Sequence, residues 1–323
     1  MKTLLVYNMC GLGREPRIDT YIRALNSFLQ QDFNDYRVLI SACKSNTDLI
    51  KSLDLDHFQD KISYIYHHDI YTVNATFNKA VQEYVRARGP AESYVFVDSG
   101  CSFYNPKTNV LDRSILKNTY ETFKKYNNSI ISLQCSSDEA LQAVDPKYKY
   151  EDPDVQIVGA DELIPLGASI NCHVAMFSHE MYEAYNNKII PDVFKAHCTE
   201  STFGYLAAAV GSKWYVMKDQ QAEHIKAMEG PSAGFEHYST LHGNTWNNLL
   251  YGRNALQFIR DPDFINSGIG YEESNNILPH NKAAYDENGM PLDPEGMKKL
   301  INKYFFLTKQ ELDYDNMNVQ SHI

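Results

Sequence analysis

The run Ser93-Tyr94-Val95-Phe96-Val97-Asp98-Ser99-Gly100-Cys101 sets a carboxylate directly after a short apolar stretch. Tyr, Val and Phe over so few residues make a strand rather than a helix, and Asp98, Ser99 and Gly100 end it. In open α/β sheets ligands bind beyond the carboxyl ends of the strands, so Asp98 is expected at the mouth of a site. A carboxylate there can hold a hard divalent cation, and that cation can neutralise a diphosphate. The competing reading is an Asp that opens a turn. A second candidate is Cys10-Gly11-Leu12-Gly13-Arg14, whose G-x-G invites a dinucleotide-binding reading. The third glycine is missing, Pro16 follows, and no acid closes the next strand, which argues against a dehydrogenase. Arg14 or Arg17 could meet a phosphate, or stand as solvated surface groups. Neither a G-x-S-x-G elbow nor a Walker A sequence occurs.

The elements that would position these groups alternate. Strands are expected at Leu4–Asn8, Tyr36–Ala42, Ile62–Tyr66, Ser93–Val97 and Ile130–Gln134. Between them helices are expected at Ile18–Gln31, with Ile18, Ile22, Leu25, Phe28 and Leu29 at helical spacing, and at Thr47–Leu53, Asn74–Arg88 and Ser114–Tyr126. Strands separated by helical segments imply βαβ units and a largely parallel α/β sheet. Ser136 to Asp161 reads as a loop over the site. A strand at Ser169–Phe177, a helix at Ser178–Asn186, a helix at Glu200–Val210 stopped by Gly211 and a strand at Lys213–Met217 follow. Beyond about residue 228 the pattern is irregular, with helices expected at Thr245–Phe258 and Pro294–Leu307. The expected division is 1–228, split into 1–135 and 136–228, with 229–323 as a C-terminal extension.

Composition narrows the function classes. The chain has 323 residues, 30 Lys and Arg against 41 Asp and Glu, and a net charge of −11. That balance opposes nucleic-acid binding, which needs a basic face. Six cysteines, at 10, 43, 101, 135, 172 and 198, include no C-x-x-C pair. They read as buried reduced thiols of a cytoplasmic protein, favouring neither a zinc site nor a disulfide scaffold. No run is long enough to cross a membrane, and the first residues read as a strand rather than a signal peptide.

Several segments, in order, resemble the family 2 type, GT-A fold glycosyltransferases. Ala24 to Ile40 is similar to that group's first helix and second strand, and Ser45-Asn46-Thr47-Asp48 to the polar turn that follows. Asn74-Ala75-Thr76-Phe77-Asn78-Lys79-Ala80 resembles its A-x-N-x-A helix start. Val95 to Gly100 falls where the group has its D-x-D motif, and Ala196 to Leu206 resembles its E-D helix start, with Ser201 in place of the Asp. The resemblance spans roughly residues 3 to 225. Two departures stand out: Ser41-Ala42-Cys43-Lys44 replaces the acids that grip the base, and Gly100 replaces the second acid of D-x-D.

The resemblance implies a GT-A (Rossmann-like) sheet flanked by helices and an enzyme that moves a sugar from a nucleotide-diphosphate sugar to a hydroxyl of a carbohydrate or glycoconjugate. It implies Tyr7, Asn8, Asn78, Asp98, Ser99 and Gly100 around the donor. It also implies Mn2+ or Mg2+ held by Asp98, with the late His224 as a further ligand and His242 as a second choice. Inverting transfer is expected, retention staying open. Glu200 is the expected base, since one carboxylate must take the acceptor proton and a helix start favours its charge; Asp192 is the reserve. The alternative is a non-catalytic binding protein on a degenerate GT-A scaffold.

Overall fold

The computed structural model of the chain describes residues 1–9, 18–43, 47–53, 55–67, 73–98, 100–127, 129–135, 155–158, 173–191, 203–224, 270–271, 277–278, 286, 291–304, 306 and 319–322. In chain order the elements begin with β1 (Thr3–Met9), α1 (Ile18–Leu29), β2 (Tyr36–Cys43), α2 (Thr47–Ser52), β3 (Ile62–His67), α3 (Val73–Arg88) and β4 (Ser93–Val97). Next come β5 (Cys101–Ser102), α4 (Ile115–Lys125), β6 (Ile130–Cys135), β7 (Val155–Val158), β8 (Val174–Ser178), α5 (His179–Ala184), α6 (Phe203–Ala208) and β9 (Trp214–His224). The chain ends with β10 (Gly270–Tyr271), β11 (Ile277–Leu278), α7 (Pro294–Tyr304) and β12 (Val319–His322).

The central sheet runs β12-β3-β2-β1-β4-β8-β6-β9-β5, with β7 beside β9. β1 to β4 are mutually parallel, and β6 is parallel to β9. β8 runs antiparallel to both β4 and β6, so β6 and β9 point the same way as β1 to β4. The expected mostly parallel α/β sheet is therefore present, with β5, β7, β8 and β12 reversed.

A sheet covered on both faces needs strands that are apolar on both faces, and these are. Every residue of β1, β4 and β8 is buried. Alternation then sorts side chains into two cores. Leu4, Val6, Tyr94 and Phe96 face Phe77, Val81 and Tyr84 of α3, with Leu206 of α6 and Ile301 of α7 in the same cluster. Leu5, Tyr7, Val95 and Val97 face Leu25 and Phe28 of α1 and Ile115 and Phe123 of α4. The result is helix, sheet and helix in three layers. On α1 the buried stripe is Tyr21, Ala24, Leu25, Phe28 and Leu29, while Ile22, expected on that stripe, is 38% exposed. Tyr21 takes the apolar role there, edge-on to Tyr7.

Gly211 does stop α6. Its φ of +73° is a left-handed conformation that glycine adopts without strain. Ser212 N–H then reaches Ala207 O at 2.9 Å and Gly211 N–H reaches Ala208 O at 3.0 Å, the paired bonds of a Schellman cap.

Two expectations about elements are corrected. The span 136–161 is not all loop, because Val155–Val158 pairs antiparallel with Trp214–Met217. The strand expected to stop at Met217 continues to His224 as β9. There Met217 pairs with Leu133 but Gln221 pairs with Gln134, so Lys218, Asp219 and Gln220 form a bulge. A bulge bends and twists a strand, and beyond it β9 pairs with β5. The tail also returns to this unit: α7 enters the α3-side core through Met297 and Ile301, and β12 pairs antiparallel with β3. The helix expected at 245–258 lies outside the described residues. Among the described residues no helix is long and apolar enough to cross a membrane.

Candidate functional site

Four side chains meet just beyond the carboxyl end of β4. β4 and β8 are antiparallel with Val97 opposite Val174, so the next pair outward is Asp98 and His173. Their backbones are joined by Asp98 N–H donating to His173 O at 2.9 Å. Their side chains are joined too, His173 Nδ1 lying 3.1 Å from Asp98 Oδ2. A carboxylate only accepts, so Nδ1 is the donor of this bond. Asp98 is 29% exposed and His173 18% exposed, so the pair is half-enclosed rather than open to bulk water.

The other two groups come from the short β5–β9 ladder. Cys101 pairs with His224 and Ser102 with Glu223, and alternation sends each pair to its own face. The Ser102–Glu223 face is tied to α1. Arg23 Nε donates to Glu223 Oε2 at 2.6 Å, Ser102 Oγ donates to the same oxygen at 2.6 Å, and the Arg23 guanidinium lies 3.6 Å over the Tyr104 ring. Arg23 also donates to Asn109 Oδ1. With the register held by this clamp, Cys101 and His224 must project from the opposite face. His224 stacks on His173 with ring centroids 3.8 Å apart and planes 15° apart. One donor atom from each of Cys101, His173 and His224 lies within 4.8 Å of the others, with the thiol buried and the rings partly exposed. A group able to hold a divalent cation is therefore present.

Its chemistry differs from the expected shell. Mg2+ and Mn2+ favour carboxylate, carbonyl and water oxygens. Here Gly100 stands in place of the second acid, the Asp98 carboxylate is bonded to His173, and the further donors grouped there among the described residues are one sulfur and two imidazoles. These residues do not fit Mg2+, and they offer Mn2+ little.

The remaining expected site residues are placed as follows. Asp98 and His224 are brought together, bridged by His173. Gly100 lies in the turn between β4 and β5, where Cys101 N–H donates to Asp98 O at 3.0 Å. Tyr7 is fully enclosed, edge-on to Tyr21 and to Phe28, and fills the core beneath the strand ends. Asn8, one residue on, is 1% exposed, and its backbone pairs with Ser41. Asn78 serves the backbone of another segment: its Oδ1 accepts from Ile189 N–H at 2.9 Å and Ile190 N–H at 3.1 Å, and its Nδ2 donates to Ile190 O at 2.6 Å. Ser99, Asp192, Glu200 and His242 lie outside the described residues, as do Arg14 and Arg17.

Sequence reasoning passed over His173 and Cys101. The four apolar residues after His173 match the four apolar residues of β4, Tyr94 to Val97. Pairing them in reverse would have put His173 opposite Asp98, but nothing local says that β8 runs backwards in a parallel sheet. Cys101 looked like a core thiol because its partner His224 arrives only through the bulge in β9.

No protein-family profile and no curated protein sequence matches the chain. Solved structures do. The mannosyltransferase PcManGT from Pyrobaculum calidifontis, solved with GDP-Man and Mn2+, superposes with a TM-score of 0.50 at 13% identity, over 71% of this chain and 58% of its own. S. aureus TarS 1-349 in complex with UDP gives 0.48 at 12% identity, over 69% and 60%. GalNAc-T7 with UDP, GalNAc and Mn2+ gives 0.44 at 9% identity, over 81% and 51%. This chain thus spans about 60% or less of the length of these solved chains. The first likeness shows that it has the GT-A fold.

Proposed function

We propose that the chain is a nucleotide-sugar-dependent glycosyltransferase. The observation that supports this is the placement of Asp98, His173 and His224 at the carboxyl edge of a sheet with the GT-A fold, where α/β proteins take their ligands. PcManGT was solved holding a nucleotide sugar, which makes that ligand class the first to try here.

In this reading the donor lies across the carboxyl ends of β1 to β4, with Asp98 facing the diphosphate, and the acceptor is a carbohydrate or glycoconjugate hydroxyl. Glu200 takes the proton from that hydroxyl as its oxygen attacks the anomeric carbon and the nucleoside diphosphate leaves, an inverting displacement. Asp192 is the reserve base. Arg14 and Arg17, shortly after β1, are the basic groups the sequence offers to the diphosphate. A divalent cation near the diphosphate would supply charge neutralisation. Because the donor set does not fit Mg2+, the reading does not require that ion.

The test is release of nucleoside diphosphate from UDP-, GDP-, CDP- and TDP-sugars, with and without candidate glycan acceptors. Glu200→Gln is expected to lower turnover by about 10²- to 10⁴-fold while donor affinity stays within a factor of about three. Wild-type turnover in Glu200→Gln would remove Glu200 from the mechanism. One observation favours the alternative of a non-catalytic binding protein: the carboxylate expected to face the donor is bonded to His173, and Gly100 stands where the motif has its second acid. That alternative predicts no turnover with any acceptor, and a thermal-shift response to none of the nucleotide sugars favours it.

A further inference from the structure

We infer that Cys101, His173 and His224 form a thiolate–imidazole metal site of zinc type, with Asp98 as the carboxylate behind His173. The inference stands on the donor set and does not depend on the transferase reading.

The geometry points to shared ligation in three ways. First, the three donor atoms lie within 4.8 Å of one another. Ligand atoms around a tetrahedral Zn2+, with bonds of about 2.0–2.3 Å, stand roughly 3.5 Å apart, so closure requires side-chain torsion rather than backbone rearrangement. The two rings, now face to face, must splay so that each lone pair points at the ion. Second, the ligands come from separate segments that the backbone already pins together. The ladder pairs Cys101 with His224, and the Asp98–His173 backbone bond fixes the third. Third, Asp98 accepts from Nδ1 of His173, so Nε2 is the nitrogen that would ligate the metal. This carboxylate–histidine–metal relay recurs in zinc sites and raises the basicity of the ligating nitrogen.

Chemistry selects the ion. A thiolate with two imidazoles is a borderline-to-soft donor set that suits Zn2+, or Co2+ as its substitute, and not Mg2+. Cys101 is buried, so its sulfur can carry charge only if a cation neutralises it there. On binding, the Cys101 S–H proton goes to solvent, the sulfur bonds to the ion, and a hydrated water is displaced; no electron moves. Among the described residues the group supplies three protein ligands, and a site that keeps its fourth position for water or an oxygen ligand is of the reactive rather than the purely structural kind.

The test uses the 323-residue chain, stripped with a chelator and titrated with Co2+ and then with Zn2+. Expected is one equivalent of Co2+ with the visible bands of a tetrahedral ion and a near-ultraviolet thiolate-to-cobalt charge-transfer band. Zn2+ at one equivalent should displace it, and millimolar Mg2+ should not. Cys101→Ser is expected to abolish the charge-transfer band and weaken binding by at least 10-fold. Asp98→Asn should keep the band while weakening affinity by about 10- to 100-fold. If the wild-type cobalt complex lacks a thiolate band, or binds no stoichiometric metal, the inference is overturned whatever the variants do. Equal affinity in folded Cys101→Ser would also overturn it.

Discussion

His67 closes β3 with its ring wholly enclosed, Nε2 lying 2.9 Å from Ser41 Oγ. Burial first, then the nearby Lys79 charge, hold its pKa down from 6.5 to about 4, with Glu83 opposing weakly. Above pH 6.5 the ring is neutral in both the folded and the unfolded chain and contributes no pH dependence. Below it the unfolded chain takes up a proton that the native chain refuses, so stability falls as the pH drops from 6.5 towards 4. Between pH 6.5 and pH 5 the loss from this one residue is about 2 kcal/mol. His67→Gln should flatten that part of the urea-denaturation profile relative to the parent; parallel profiles would show that the native ring protonates easily. At this scale the position of Asp98 directly after a strand was legible in the sequence, because a strand ending in an acid is a local pattern. His173 and Cys101 were not legible, because what makes them donors is their partners 75 and 123 residues away, Asp98 and His224 respectively.

The element that assembles the site is β9, and its bend depends on what holds its far end. Glu223 is gripped by Arg23 from α1, the two side chains being 21% and 27% exposed. Arg23→Met leaves that carboxylate with Ser102 and no cation. The expected cost is about 2 kcal/mol in urea denaturation. The same variant should weaken Co2+ binding, because His224 is the next residue along the strand. Unchanged stability and unchanged cobalt affinity together would show that the clamp does not set the register. A second brace is Asn78 on α3, which satisfies three backbone groups of Ile189 and Ile190. Asn78→Ala strands those groups in a buried place and should cost about 3 kcal/mol, while Ala at an exposed helix position should cost almost nothing. The parallel strands were legible from their length and apolar content, since a sheet covered on both faces requires both. The reversed strands, the bulge at Lys218–Gln220 and the helical Asn78 that serves a distant segment were not. Pairing direction and bulges are set by tertiary partners rather than by local propensity.

For the whole molecule, the three layers and the returning tail give one sheet whose carboxyl edge carries the candidate site. In the described part of the tail, α7 shares a core cluster with α6, and β12 pairs with β3. On that side the sheet's edge is then β12, a short strand of four residues. The overall fold was legible because the βαβ rhythm is carried by many residues at once. The donor is not, because its specificity would depend on a few side chains at the strand ends, and there this chain departs from the pattern it resembles. The most direct test of the central claim is equilibrium binding of UDP-, GDP-, CDP- and TDP-sugars to the full chain and to Asp98→Ala. The account predicts that at least one nucleotide sugar binds the parent and that Asp98→Ala weakens it by about 10-fold or more, a loss of about 1.4 kcal/mol. Binding of none, or equal binding by the folded variant, would contradict it.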